Sequence, residues 1–345
     1  FPEARFFLLI LVLKLIFFRL HLKELKLSYI LNQTNFMKTF KVFVSSLIIP
    51  LLLLSCSQES HETEVAKPKY SLAQWSFNRD LKAGDMNTVD FINAAAKMDF
   101  GGVEYVSQFF QDKVTDFIYL DSLKDAAKEA GILSLMIQVD EIGHLCASNE
   151  EERNAAVELG KKWIDASHYL GCTSMRVNAH GDGTPDEMMI QALDGIGKLA
   201  DYANEVGVKL IIENHGGMSS HGVWLADLIA QLSDKNVGSL DDFHNWCFKT
   251  KSGAIWGPCA KEYDYYQGFQ ELIGTAEGVS VKAFKFDSLG NEPDLDFPRF
   301  FQIMKEAGYN GYLGVEYEGN NLSSREGILK TKALAEKTWA AVYAK

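Results

Sequence analysis

From residue 70 onward the chain keeps one rhythm: an amphipathic stretch, a glycine, a short apolar run, then a polar or acidic cluster. The apolar runs are "YSLAQWSF" (70–77), "GGVEYV" (101–106), "ILSLMIQVD" (132–140), "CTSMRVNAH" (172–180), "VKLIIENH" (208–215), "VGSLDDFHN" (237–245), "GVSVKAFKFD" (278–287) and "GYLGVEYEG" (311–319). Their apolar residues run nearly unbroken, so both faces of each strand are buried, as in a parallel sheet. Between them, stretches such as "TVDFINAAAKM" and "QALDGIGKLADYANEV" space apolar residues three and four apart, which is one face of a helix. Gly131, Gly171, Gly207 and Gly308 fall where such helices end, because only glycine enters the left-handed conformation cheaply. Eight strands alternating with helices predict an α/β fold, a single (β/α)8 TIM barrel over residues 70–345. An open doubly wound sheet is the alternative, but it usually has fewer strands, and no Gly-rich dinucleotide fingerprint follows the first one.

The first 69 residues break the rhythm. Residues 1–36 contain "FFLLILVLKLIFF", interrupted by Lys14, and are expected to be upstream sequence outside any fold. A better start is Met37, in "MKTFKVFVSSLIIPLLLLSC". Lys38 and Lys41 make a basic n-region, and Val42 to Leu54 a short apolar core, the marks of a secretory signal over 37–55. A single membrane anchor is the alternative, but a span needs about 20 apolar residues. The closing "LLSC" resembles a bacterial lipobox, which implies a lipid on Cys56. Residues 56–69 are polar without periodicity and read as a flexible tether. The expectation is an exported lipoprotein, membrane-anchored through Cys56, in the periplasm or at the cell surface.

Composition narrows the partners. The formal net charge is −12, and the segment before Cys56 is basic, so the remainder is more acidic still. Nucleic acid is excluded as a partner, because its phosphates demand basic patches. No second transmembrane-length run exists. Four further cysteines remain, Cys146, Cys172, Cys247 and Cys259. Export permits disulfides, and Cys247 and Cys259 lie in one loop, but spacing alone leaves a bridge and two free thiols equally open.

In a barrel the C-terminal strand ends surround one mouth, where active sites sit. Those ends offer Gln74 and Trp75, Glu104, Asp140 and Glu141, then Arg176, Asn178 and His180. Next come Glu213, Asn214 and His215, and Asp241, Asp242, His244 and Asn245. Lys282, Lys285 and Asp287, then Glu316 and Glu318, complete the ring. Carboxylates converging on one mouth repel each other, and a divalent cation is the usual remedy. Each residue also has a plainer reading. Glu104 would bond a neighbouring strand end, Arg176 would pair with Glu141 or Glu213, and His180 and His215 would be satisfied structural histidines. Trp75, Trp246 and Trp256 would be core, or sugar-stacking surfaces. Gly216 and Gly217 would let a substrate approach the backbone. The segment from Cys247 to Gly268 is too long for an ordinary βα loop and reads as a lid.

The patterns "LGCTSMRVNAHG", "IIENHGG", "GSLDDFHNW", "GVSVKAFKFD" and "GYNGYLGVEYEG" resemble the sugar phosphate isomerase/epimerase group, with its xylose-isomerase-like barrel, over roughly residues 70–340. The resemblance implies a site in which three carboxylates and a histidine hold Mn, Mg, Co or Zn. Carried over by motif, Glu213, Asp242 and Glu316 are the carboxylate ligands. The family's seventh strand often reads Val-His-Leu-Lys, whereas this chain reads Val279-Ser280-Val281-Lys282, with Ser280 at the histidine position. The family's Asp-Pro-Gly-His is here Asp242-Phe243-His244-Asn245, so His244 or a water is expected to fill the gap. The implied reaction is enolisation of a sugar, with Glu213 and Glu316 as the proton-transfer pair and Lys282 on the enediolate oxygen. Trp75, Glu141, Arg176, His180, His215, Asn245 and Lys285 are expected to bind a small carbohydrate. Two other readings compete: a lyase or hydratase acting on 3-keto-glycosides after the same proton abstraction, and a non-catalytic sugar-binding barrel.

Overall fold

Eight parallel strands close into a ring in the order β1-β10-β9-β6-β5-β4-β3-β2, in a computed structural model that describes residues 67–344. The expectations for residues 1–36, the signal at 37–55, Cys56 and the tether up to residue 66 lie outside the described residues. The strands are β1 (Lys69–Ala73), β2 (Gly102–Val106), β3 (Leu133–Gln138), β4 (Ser174–Val177), β5 (Lys209–Glu213) and β6 (Gly238–Asp242), then β9 (Ala276–Ala283) and β10 (Tyr312–Tyr317). Between β6 and β9 the chain inserts an antiparallel hairpin, β7 (Cys247–Thr250) and β8 (Cys259–Glu262). No helix among the described residues is long and apolar enough to cross a membrane.

The helices begin and end where local chemistry allows. Thr184 and Glu187 form a reciprocal capping box ahead of Pro185–Val206, with proline in its first turn. Asn87 with Asp90 and Ser323 with Glu326 do the same for Thr88–Lys97 and Ser324–Tyr343. Gly131, Gly171 and Gly207 are the left-handed C-caps, while Gly308 (φ 69°) lies one residue past the cap at Ala307. The apolar helix faces pack against the outside of the barrel, and Phe243, Phe269, Phe300 and Trp246 are among the fully buried rings.

Inside the barrel the side chains change character with height. Met136, Ile211 and Leu240 form a small apolar plug. One pleat higher, the same strands carry Gln138, Glu213 and Asp242, because residues two apart share a face. Beside them Glu104 accepts from Ser71 on β1 (2.6 Å) and Gln138 on β3 (3.1 Å). Gly314 makes room for it, since a Cβ there would come within 2.6 Å of the Glu104 carboxylate.

Asp241 has the opposite parity to Asp242 and leaves the mouth. It is fully buried, both its oxygens lack a partner, and burial pushes its carboxyl up to about 8. A carboxyl raised on folding contributes stability present below its unfolded pKa of about 3.9 and lost as pH rises through the folded value. Asp241→Asn imitates the neutral acid. Its Tm advantage over the parent should therefore widen between pH 5 and pH 8, by roughly 5 °C. Thermal melts showing a difference independent of pH would contradict this.

Candidate active site

The mouth is a cavity of about 520 Å³ lined by strand ends and the loops that follow them. Arg176, buried on β4, organises one half. Its Nε lies 2.8 Å from Glu213 Oε2, its Nη1 is 2.5 Å from Asp140 Oδ1, and its Nη2 donates to Gln138 Oε1. Asn178 also donates to Asp140, at 2.9 Å, and its carbonyl oxygen lies 3.0 Å from His215 Nδ1. Of the partners expected for Arg176, Glu213 is found and Glu141 is not; Asp140 takes that place. Burial alone would raise the Asp140 carboxyl, but the Arg176 charge overcomes it and holds the group well below the usual carboxylate range.

Lys282, buried on β9, organises the other half. Its Nζ lies 3.0 Å from Asp242 Oδ2, 3.3 Å from Glu316 Oε2 and 2.8 Å from Glu318 Oε1. Burial would lower its pKa, but those carboxylates raise it well above the ordinary value, so it stays charged. Ser280, two residues earlier on the same face, donates to Glu316 Oε2 at 2.7 Å. Asn245 donates to Glu213 Oε1 at 3.2 Å. The Asn214 side chain bridges β5 and β6, accepting from Asp242 N (2.7 Å) and donating to Asp242 O (3.0 Å). Burial pushes both Glu213 and Glu316 above the usual carboxylate range, against the pull of Arg176 on the first and Lys282 on the second; neighbouring carboxylates push the same way as burial.

The rim is imidazole and indole. His180 Nε2 meets the His215 carbonyl oxygen at 2.7 Å, and burial lowers the His180 pKa to about 4, leaving the ring neutral. His215 is likewise pushed well below its ordinary value by burial. Trp256 stands edge-on to His215 at 4.6 Å and is 54% exposed, so it is rim and not core, whereas Trp246 is fully buried in the core. Trp75 lines the opposite side, with Lys82 over its ring at 4.0 Å. Trp256 and Ile255 come from the β7–β8 hairpin, which a Cys247–Cys259 disulfide closes. Gly216 (φ 82°) and Gly217 (φ 59°) need glycine for the turn. A Cβ on Gly216 would come within 3.0 Å of Ile255, so the close approach there is the hairpin's and not a substrate's.

Glu213, Glu316, Lys282, Trp75, Glu141, Arg176, His180, His215 and Asn245 thus all line one cavity. Gln108, His144 and Ile255 line it too and were not singled out in the sequence, since none ends a strand. Three expected residues do not join that lining, the first being Asp242, which is fully buried on β6 against Lys282. Lys285 is half exposed and paired with Asp294 at 2.6 Å; beyond the strand end, Glu292 accepts from the backbone N–H of Phe284 and Lys285 and turns the chain outward. His244 is turned away because Asp242 Oδ1 accepts from its backbone N–H (2.7 Å), and its ring packs against Phe284 and Tyr265.

The donor set expected for a divalent metal, Glu213, Asp242, Glu316 and His244, does not fit one. The Lys282 ammonium lies among Asp242, Glu316 and Glu318, the Arg176 guanidinium is on Glu213, and Ser280 offers no nitrogen. Among the described residues no three His, Cys, Asp or Glu side chains are grouped so as to hold an ion.

A family model described as xylose isomerase-like TIM barrel matches residues 92–334. No curated protein matches the sequence. Among solved structures, the fold resembles a 3-keto-D-glucoside 4-epimerase from E. coli (17% identity, TM-score 0.59, 79% of this chain and 100% of that one). It also resembles a D-allulose 3-epimerase from Methylomonas sp. in complex with D-allulose (14%, TM-score 0.61, 79% and 97%). A third is the IolI protein with a bound zinc atom (14%, TM-score 0.61, 79% and 99%). At such identities the likeness establishes the fold.

Proposed function

The chain belongs to the xylose isomerase-like TIM-barrel family, and on that premise we propose that it isomerises or epimerises a carbohydrate by moving a proton at a carbon beside a carbonyl. The observation that carries this reading is the pair Glu213 and Glu316. Both are buried carboxyls raised above the usual range, both line one cavity, and the Lys282 ammonium lies 3.3 Å from Glu316. A group that must take a proton and later return it works best with a pKa near the working pH. The ionised member removes the C–H proton and the electron pair moves onto the carbonyl oxygen. The Lys282 N–H groups stabilise that developing oxyanion. The protonated member then delivers its proton to the opposite face as the carbonyl re-forms, giving an epimer, or to the former carbonyl carbon as the adjacent hydroxyl passes its proton to the oxyanion and becomes the new carbonyl, giving an isomer. Arg176 and Asn245 orient Glu213. Trp75 and Trp256 offer flat apolar surfaces to a sugar ring, and the neutral His180 and His215 offer hydroxyl partners. Sugars named for the fold's relatives, such as D-allulose, support a carbohydrate ligand.

A second chamber of about 220 Å³ adjoins the mouth, shares His180 and Ile255 with it, and is lined by Met188, Met218 and Phe248. It favours a second reading in which the substrate is a keto-glycoside with an apolar aglycone, lost by elimination after the same enolisation. The Cys247–Cys259 disulfide also supports placing the domain in an oxidising compartment, in keeping with a lipoprotein anchored at Cys56.

Incubation with ketohexoses and 3-keto-glucosides in D2O, followed by NMR, tests the proposal. Deuterium should enter at the carbon beside the carbonyl. Release of aglycone would select the second reading. Saturable sugar binding without any exchange would leave only a binding protein.

A further inference from the structure

We propose that His180 and His215 form a hydrogen-bond-accepting subsite at the rim, which takes two hydroxyl groups from the arm of the sugar farthest from the enolising carbon and turns away a phosphate there. The inference deepens the sugar reading of the mouth and rests on it. What carries it is the direction of the hydrogen bonds that each imidazole makes. His180 Nε2 lies 2.7 Å from the His215 carbonyl oxygen, which can only accept, so Nε2 carries the hydrogen and the lone pair is on Nδ1. For His215 the direction is fixed through Asn178. Arg176 Nη1 donates to Asn178 Oδ1 at 3.1 Å, and Asn178 Nδ2 donates to the Asp140 carboxylate at 2.9 Å. The amide oxygen therefore faces His215 Nδ1, 3.0 Å away, so that nitrogen carries the hydrogen and the lone pair is on Nε2. Neither His180 Nδ1 nor His215 Nε2 meets a partner among the described residues, and neither is sealed off from the cavity space that the two rings line.

Two lone pairs on nearly parallel rings, 6.2 Å apart and 16° from coplanar, require donors from a ligand. Trp256, 4.6 Å from His215, gives the same place an apolar flank. A sugar arm meets both needs, with O–H groups for the imidazoles and C–H groups for the indole. A phosphate monoester meets neither, because near neutral pH it is largely a dianion without a hydrogen to give. It would also face the ionised Asp140. Arg176 and Lys282, which line the mouth, are already held by carboxylates. Burial keeps both imidazoles neutral, so neither supplies the cation that a phosphate would need.

The test uses the full chain, with binding read by calorimetric titration and proton exchange by NMR in D2O. The probes are D-allulose and D-tagatose, their 5-deoxy and 6-deoxy forms, and their 6-phosphates. The parent should bind the free sugars about 100-fold more tightly than the phosphates, because like charges brought together in a site repel. Each deoxygenation should weaken binding about tenfold, because it leaves an acceptor unpaired. His180→Gln keeps an N–H for the His215 carbonyl, and His215→Asn keeps one for Asn178, so each variant removes only the outward lone pair. Each should bind free sugar about tenfold more weakly, become indifferent to one of the two deoxygenations, and keep kcat within about twofold. Histidines that only hold the structure would leave the sensitivity to both deoxygenations unchanged, and that result would overturn the proposal. Equal binding of sugar and phosphate by the parent would overturn it too, as would indifference of the parent to both deoxygenations, and neither measurement depends on a variant that folds. Failure of every probe to bind would overturn the subsite together with the sugar reading. Selective binding without proton exchange would count against the proposed enolisation alone, and exchange with equal binding of the phosphates against this subsite alone.

Discussion

Glu316→Gln is expected to lower kcat/KM for the net reaction by about 1,000-fold, because a positioned proton-transfer group contributes roughly 10²–10⁴. Glu213→Gln should do the same. The two variants should nevertheless differ in what survives. Each keeps one carboxyl, and so each should still exchange the solvent-derived proton on the face that its remaining glutamate serves. With two epimeric substrates in D2O, one variant should label one epimer and the other variant its partner. A single-base mechanism predicts instead that one variant loses all exchange and the other keeps nearly all turnover. The pH profile gives an independent check. Burial raises both carboxyls, so activity should rise above the usual carboxylate range as one of them ionises. It should fall again at higher pH when the second loses its proton. The two limbs belong to the pair and not to either residue. Each variant retains a single limb.

The barrel was legible because its signal is redundant: eight apolar runs alternating with helices predict one closed ring. The inner face of the mouth was legible for a related reason. Residues two apart share a face, so Ser280 and Lys282 are placed together as soon as the strand is recognised. That parity also separates Asp242, in the mouth, from Asp241, outside it. Applied past the strand end it fails. Lys285 lies two residues beyond Ala283, where Glu292 and not the pleat directs the chain. The choice of Asp140 over Glu141 as partner of Arg176 belongs to the same class, since both lie beyond the end of β3.

Other features depend on contacts that no local pattern encodes. The hairpin at 247–262 lacks clear alternation, and a loop-tip residue, Trp256, reaches the mouth only because the hairpin folds back over Gly216. Trp256 lies 41 positions after His215 in the sequence, with nothing in between to mark that they meet. The resemblance to metal-holding relatives named Glu213 and Glu316, which line one cavity, and Asp242, which is buried against Lys282, but not the cations paired with them. That the Lys282 ammonium ends among Asp242, Glu316 and Glu318 is a property of the packed site.

Removal of Arg176 is expected to have the largest effect on stability. Arg176→Met keeps much of the side chain's bulk but takes away the guanidinium paired with Glu213 and Asp140. Breaking a buried pair by removing one partner typically costs about 3–5 kcal/mol, because the charge left behind is uncompensated. For a domain of this size that is a fall in Tm of roughly 10 °C at pH 7. Gln138 and Asn178 would also lose a partner each, which adds unsatisfied polar groups to the deficit. The pH dependence separates charge from packing. In the parent, Arg176 holds the Asp140 carboxyl below its usual range. A depressed carboxyl contributes stability that is present above its unfolded pKa of about 3.9 and lost as pH falls through the folded value. The gap between parent and variant should therefore be widest at neutral pH and narrow as pH falls below about 4. Glu213 acts in the same direction: without the guanidinium its carboxyl rises further, so the variant takes up that proton at a pH where the parent does not. Melts of both proteins between pH 3.5 and pH 8 measure this directly. A gap that stays constant across the range would make Arg176 a packing residue, and the buried pair at Glu213 would lose its electrostatic meaning.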